Sequence, residues 1–163
     1  MTRRHLLALL AAAPLALPAA GRAQQQEPTE AQPPLPKEKL VIVTHDGKRH
    51  DFEVEMALTP QQQQVGLMFR HEVPPNTGML FDWGAPRISQ MWMRNTVASL
   101  DMIFIDENGM IRRIVEHTVP ESLAIIDSLV PVRATLEVAA GTAEKLDIRV
   151  GDKVLNRVFG TKP

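Results

Sequence analysis

Apolar and acidic residues alternate from Asp51 to Leu58. Phe52, Val54, Met56 and Leu58 interleave with Asp51, Glu53 and Glu55. A period of two marks a strand with one buried face, so Glu53 and Glu55 are expected on a solvated side. The preceding run Leu40–Thr44 is apolar and β-branched, and His45-Asp46-Gly47-Lys48 between the two carries the Asp-Gly hairpin signal. The pattern therefore predicts a hairpin that begins near Lys39. Thr59-Pro60-Gln61-Gln62 then reads as a helix start, with Thr as cap, Pro at the first helical position and Gln three residues after the cap. One short helix is predicted from Pro60 to about Met68, followed by a loop over His71–Gly78.

Further short apolar runs predict strands over Met79–Phe81, Ile88–Met93, Leu100–Ile105, Met110–Thr118, Arg133–Ala139 and Lys153–Phe159. Trp83-Gly84-Ala85-Pro86 breaks the first from the second. Asp106-Glu107-Asn108-Gly109 is a turn that joins Leu100–Ile105 to Met110–Thr118 as a hairpin. Val119–Pro131 reads as a long connection, and Gly141–Leu146 as a single helical turn. Many short strands with little helix predict an all-β fold, a sandwich or a barrel.

The pattern changes character before residue 39. Met1–Ala23 has a charged start (Arg3, Arg4, His5), an apolar stretch over Leu6–Leu17 and a small-residue exit at Gly21-Arg22-Ala23. This is the layout of a cleavable signal peptide, too short in its apolar part for the roughly 20 residues of a membrane span. The adjacent arginines before Leu6 resemble the twin-arginine export signal. The expectation is a periplasmic or secreted protein without a stable membrane anchor after cleavage. Gln24–Pro36 is polar and Pro-rich, and residues 24–38 are expected to form a disordered linker. One domain is expected over residues 39–160.

Charge and composition narrow the chemistry. The chain carries 18 Lys+Arg against 19 Asp+Glu and no cysteine. Loss of Arg3, Arg4 and Arg22 with the signal leaves 15 basic against 19 acidic residues, a balance of −4. No nucleic-acid partner is expected, because phosphate binding needs concentrated positive charge. The missing cysteines exclude disulfides, thiol nucleophiles and thiolate metal sites.

Several motifs occur in a recognisable order: Gly66-Leu67-Met68-Phe69-Arg70, Gly78-Met79-Leu80-Phe81, Met91-Trp92-Met93-Arg94-Asn95-Thr96 and Leu100-Asp101-Met102-Ile103-Phe104-Ile105-Asp106, then Leu136-Glu137 with Gly141, and Gly151-Asp152. In this order the chain resembles the bacterial and archaeal family called domain of unknown function 192, over roughly Leu40–Val158. The resemblance implies a jelly-roll-like β-sandwich and frequent export, and it implies no activity. Arg94 stands where the family commonly has Lys, and Ser99 where Pro is common.

The candidate ligand site from sequence is Arg70, Trp92, Arg94, Asn95 and Asp101. Arg94 offers a planar fork for an anion, Trp92 a flat apolar wall, and Asn95 both donors and an acceptor. The partner so implied is a small polar or anionic ligand, and the leading function is a non-enzymatic binding or accessory module. The bland alternative is an Arg94–Asp101 ion pair that ties loops together. A rival function is an envelope enzyme acting on carbohydrate or peptide, with Asp101 as acid or base and Glu137 a further carboxylate. A third is copper handling through Met91 and Met93, whose thioethers suit Cu(I) but equally suit core packing. No motif calls for a cofactor, no histidine cluster has metal-ligand spacing, and no catalytic residue is assigned. Oligomeric state is left open.

Overall fold

The structure is a computed structural model that describes residues 27–163. The signal-peptide expectation over residues 1–23 lies outside them, as do residues 24–26 of the linker. Seven strands form a single curled sheet: β1 (Lys37–Val43), β2 (Arg49–Ala57), β3 (Thr77–Met91), β4 (Leu100–Ile105), β5 (Ile111–Val115), β6 (Ile126–Ala139) and β7 (Lys153–Leu155). Two short helices join them, α1 (Pro60–Val65) and α2 (Thr142–Leu146), and a 3-10 turn over Arg157–Phe159 follows β7. The all-β expectation holds. The strands lie in one sheet, ordered β5-β4-β6-β3-β2-β1-β7, rather than in two packed sheets.

The sheet curls until its edges meet at one end. Met110 bridges Lys153, Ile111 N–H donates to the Asp152 carbonyl (3.0 Å), and Val154 N–H donates to the Gly109 carbonyl (2.7 Å). Gly109 permits this approach: it has φ +75°, and a Cβ there would stand 2.5 Å from the Val154 oxygen.

All neighbouring pairs are antiparallel except β2 with β3. That parallel pair needs a crossover, and α1 is in it. The helix starts as its sequence predicts, with a Thr59–Gln62 capping box and Pro at its first turn. It ends at Val65, three residues short of the expected Met68. Two predicted strands merge into β3, because Trp83-Gly84-Ala85-Pro86 makes a register shift between Asp82 and Arg87 instead of an end. The predicted connection Val119–Pro131 contributes residues from Ile126 onward to β6, where Pro131 sits beside a second shift in the same pairing. Among the described residues no helix is long and apolar enough to cross a membrane.

The two faces of the sheet differ. On one, Met56 opposes Leu80, Leu80 opposes Leu136, and Leu136 opposes Ile103, an unbroken apolar row across four strands. Ala143, Ile148, Val154 and Phe159 pack into the same core. Each fully buried Val, Leu, Ile, Met or Phe side chain there contributes about 1.5–3 kcal/mol. On the other face the matching row runs Glu55, Met79, Glu137, Met102. Phe81, Leu100 and Phe104 extend this face, and Leu67 and Met93 from outside the strands pack into the same cluster.

Candidate functional site

The second face gathers the polar groups. Helix α1 lies across it, held by Gln63, whose amide donates to the carbonyls of Ala57 (3.1 Å) and Asp82 (2.7 Å). Between this helix and the far half of β3 opens a cleft of about 390 Å³. Gln63, Gln64, Leu67 and Met68 line its helix side, while Phe81, Trp83, Arg87, Gln90, Met91 and Trp92 line the opposite side. Thr96 and Glu137 complete the lining.

Glu137 is the unusual member. It sits on the interior strand β6 between Met79 and Met102 and is 4 % exposed. Gly78 lets β3 lie close to it, since a Cβ there would stand 2.2 Å from the Glu137 carbonyl oxygen. The Glu137 carboxyl makes no hydrogen bond to any described residue. Burial without a partner disfavours its charged form, and its pKa is pushed up to about 8. Near neutral pH it is mostly a neutral acid, able to donate a hydrogen bond or a proton.

The aromatic wall is fixed in place. The Trp83 ring stacks on Phe81 with centroids 5.7 Å apart, and its Nε1 donates to Thr135 Oγ1 (3.2 Å). The Arg87 guanidinium covers the Trp83 ring at 4.2 Å from its centroid. Asp82 and Arg133 pair beside it. Trp92, 41 % exposed, forms the rim, with the Arg94 guanidinium 5.3 Å from its ring centroid.

A profile of the family described as DUF192, uncharacterised ACR, matches residues 41–155. The chain belongs to the DUF192 family. A crystal structure of a protein from Sinorhizobium meliloti, described as a candidate transcription regulator, is similar at TM-score 0.76 and 44 % identity, covering 78 % of this chain and 99 % of that one. A protein of unknown function from Novosphingobium aromaticivorans is similar at TM-score 0.71 and 34 % identity, covering 86 % and 93 %. Among curated proteins no relative matches.

The five residues singled out from the DUF192 sequence do not converge. Trp92 lines the cleft and Arg94 stands beside it. Asn95 serves the backbone instead. At φ +55° its carbonyl accepts from Phe69 N–H (2.8 Å), tying the loop after β3 to the segment after α1. Arg70 is drawn away to Glu55, with Nη1 and Nη2 at 2.6 and 2.9 Å from the two carboxylate oxygens. Glu55 is thus 6 % exposed, not solvated as the alternation predicts. Burial acts to raise its pKa, but the Arg70 fork and the Leu35 N–H outweigh it and hold the carboxyl below its ordinary range.

Asp101 occupies the opposite face of the sheet. It is fully buried, and its oxygens accept from the backbone N–H groups of His117 (3.0 Å) and Ala143 (2.9 Å). It neither pairs with Arg94 nor lines the cleft, so its role here is to anchor the start of α2. Met93 is closed in the core, whereas Met91 opens on the cleft. Among the described residues no group of three histidine, aspartate or glutamate side chains could hold a metal ion.

Sequence reasoning passed over Trp83 and Gln64, and gave Glu137 only a passing part. Glu137 had one signal, its place among Thr135, Glu137 and the apolar Ala134, Leu136 and Val138. That alternation assigns it to the polar face; the burial of that face comes from α1 and the loop after it.

Proposed function

We infer that this DUF192 domain is a non-enzymatic binding or accessory module for a small polar ligand held in the Glu137 cleft, and that it works in the periplasm or outside the cell. One observation carries the binding reading: an unpartnered carboxyl on an interior strand opens into a cleft walled by Trp83 and Trp92. A carboxyl at the floor of a cleft with no protein partner is free to hydrogen-bond a ligand. Aromatic walls with a few convergent polar groups are the usual furniture of a small-ligand site. The export reading rests on the twin-arginine-like pattern of Met1–Ala23.

A second reading has its own support. A neutral carboxylic acid near pH 7 is the equipment of a proton donor, so an envelope enzyme would use Glu137 in place of Asp101. The regulator description of the Sinorhizobium protein finds little support in a chain of net charge −1.

The test is a thermal-shift screen of the full chain against sugars, nucleotides, cell-wall fragments and metals, repeated with Glu137→Gln and Trp92→Ala. A ligand at 100 times its Kd stabilises the fold by about 2.7 kcal/mol. The expected result is a hit whose stabilisation shrinks in both variants. A hit that both variants bind as well as the parent sinks the cleft as the site. Turnover of a hit that stops in Glu137→Gln would favour the enzyme. For export, Arg3→Lys with Arg4→Lys should hold the protein in the cytoplasm on cell fractionation; undiminished export rules out the twin-arginine route.

A further inference from the structure

A segment of the same chain docks beside the cleft. The segment before β1, expected to be a disordered linker, is docked in its described part. Gln32 Nε2 donates to the carbonyls of Gln62 (3.1 Å) and Gly66 (2.9 Å) at the end of α1. Leu35 N–H donates to Glu55 Oε2 (2.8 Å), and Met56 N–H to the Pro36 carbonyl (3.0 Å). Glu27–Pro33 line a groove of about 650 Å³ along α1, and that groove shares Gln64 and Val65 with the cleft. At its start, Glu27 Oε2 lies 2.8 Å from Arg94 Nη2, and its Oε1 lies 3.3 Å from Nη1.

This is a two-pronged carboxylate–guanidinium contact, made over the face of Trp92. A planar fork stacked on an aromatic ring suits a carboxylate better than a point charge does. The contact is also easy to exchange. Both partners keep substantial exposure, 33 % for the Arg94 side chain and 61 % for Glu27, and exposed pairs are weak.

We propose that Arg94 over Trp92 is a carboxylate subsite at the mouth of the Glu137 cleft, that the cleft's ligand is a small molecule bearing a carboxylate, and that Glu27 is its intramolecular competitor. This rests on the cleft reading above and adds to it the class of ligand and a self-occlusion. The apolar body of such a ligand meets Trp92 and Trp83, and its carboxylate displaces Glu27 from Arg94. The strap keeps its other ties to α1 and β2, so displacement needs only the Glu27 end to swing away.

The chain has two tryptophans and both line the cleft, so intrinsic fluorescence reads binding there directly. The experiment titrates full-chain parent, Glu27→Gln and Arg94→Gln with N-acetylphenylalanine, which carries a carboxylate, and with its uncharged amide. Glu27→Gln is expected to bind the carboxylate probe about two- to fivefold more tightly than the parent, the scale of a weak exposed pair, with no change for the amide. Arg94→Gln is expected to lose about tenfold for the carboxylate probe, the scale of a charge-assisted hydrogen bond, and again nothing for the amide. Equal affinity of parent and Glu27→Gln for the carboxylate, or an Arg94→Gln variant that binds it unchanged, overturns the proposal. If both probes bind all three proteins alike, the carboxylate subsite is wrong while the cleft remains a binding site. If neither probe alters emission in any of them, the carboxylate class is wrong, and the cleft is judged by its own ligand screen.

Discussion

The two faces of one sheet solve the same burial problem in opposite ways. On the first, Met56, Leu80, Leu136 and Ile103 meet side by side, and α2 and the final 3-10 turn close over them. On the second, the same four strands present Glu55, Met79, Glu137 and Met102. The first face is built to exclude water. The second carries two carboxyl groups, two strand spacings or about 10 Å apart, and treats them differently. Glu55 has Arg70 and a backbone donor; Glu137 has neither. A sheet tolerates an unpartnered buried acid when the site does something with it, and strained or unsatisfied groups gather where function is.

The largest break in this comparison comes from the sealed face. Leu136→Ala removes a fully buried side chain from the centre of the apolar row and should cost about 2–5 kcal/mol in urea unfolding. Glu137→Gln, one residue along the same strand, should cost far less and at high pH should stabilise. A Leu136→Ala loss below about 1 kcal/mol would mean that the row is not the main core.

The next effect separates the faces by pH. Glu137 has a folded pKa of about 8 against an ordinary 4.5, so the folded state holds its proton where the unfolded state has released it. Its contribution is fully present below pH 4.5 and is lost as pH rises to about 8. At about 1.4 kcal/mol per unit, the loss is on the order of 5 kcal/mol. Urea titrations between pH 5 and pH 9 should show parent stability falling relative to Glu137→Gln, with the gap constant above pH 9. Parallel curves would mean that the carboxyl is solvated or paired.

Much of this frame was legible in the sequence, and the part that was not has a common cause. The strand periods, the Thr59 cap and the Asp106–Gly109 turn are local signals, and each is found where its residues put it. The merger of two predicted strands into β3 was not legible, because Gly84 and Pro86 break strands in most settings and only the pairing with β6 carries the chain through. The candidate residues were divided for the same reason. Asp101 and Trp92 are near in sequence, but the side of the sheet each takes depends on register, and they fall on opposite faces. Glu55 reads as solvated because alternation tells which residues share a face, and nothing in it tells whether a helix will cover that face.

The smallest effect is the most diagnostic, because it turns one carboxylate into the other. Arg70→Ala strips Glu55 of its fork and leaves it buried on the same row as Glu137. Near neutral pH this should cost about 2 kcal/mol, the penalty of an unsatisfied buried acceptor. The sign of the pH response should change as well. In the parent, the depressed pKa of Glu55 adds stability that is present above the ordinary carboxylate range and is lost as pH falls through its folded pKa. In Arg70→Ala burial is opposed only by the Leu35 N–H and the charge of Lys37, so the pKa rises and protonation is less costly to the fold. The variant should therefore recover towards the parent as pH falls through the carboxylate range, and fully only below the depressed folded pKa of the parent's Glu55. Stability curves that stay the same distance apart from pH 4 to pH 8 would mean that Arg70 acts by packing alone. The two carboxyl groups would then differ by position, not by the presence of a partner.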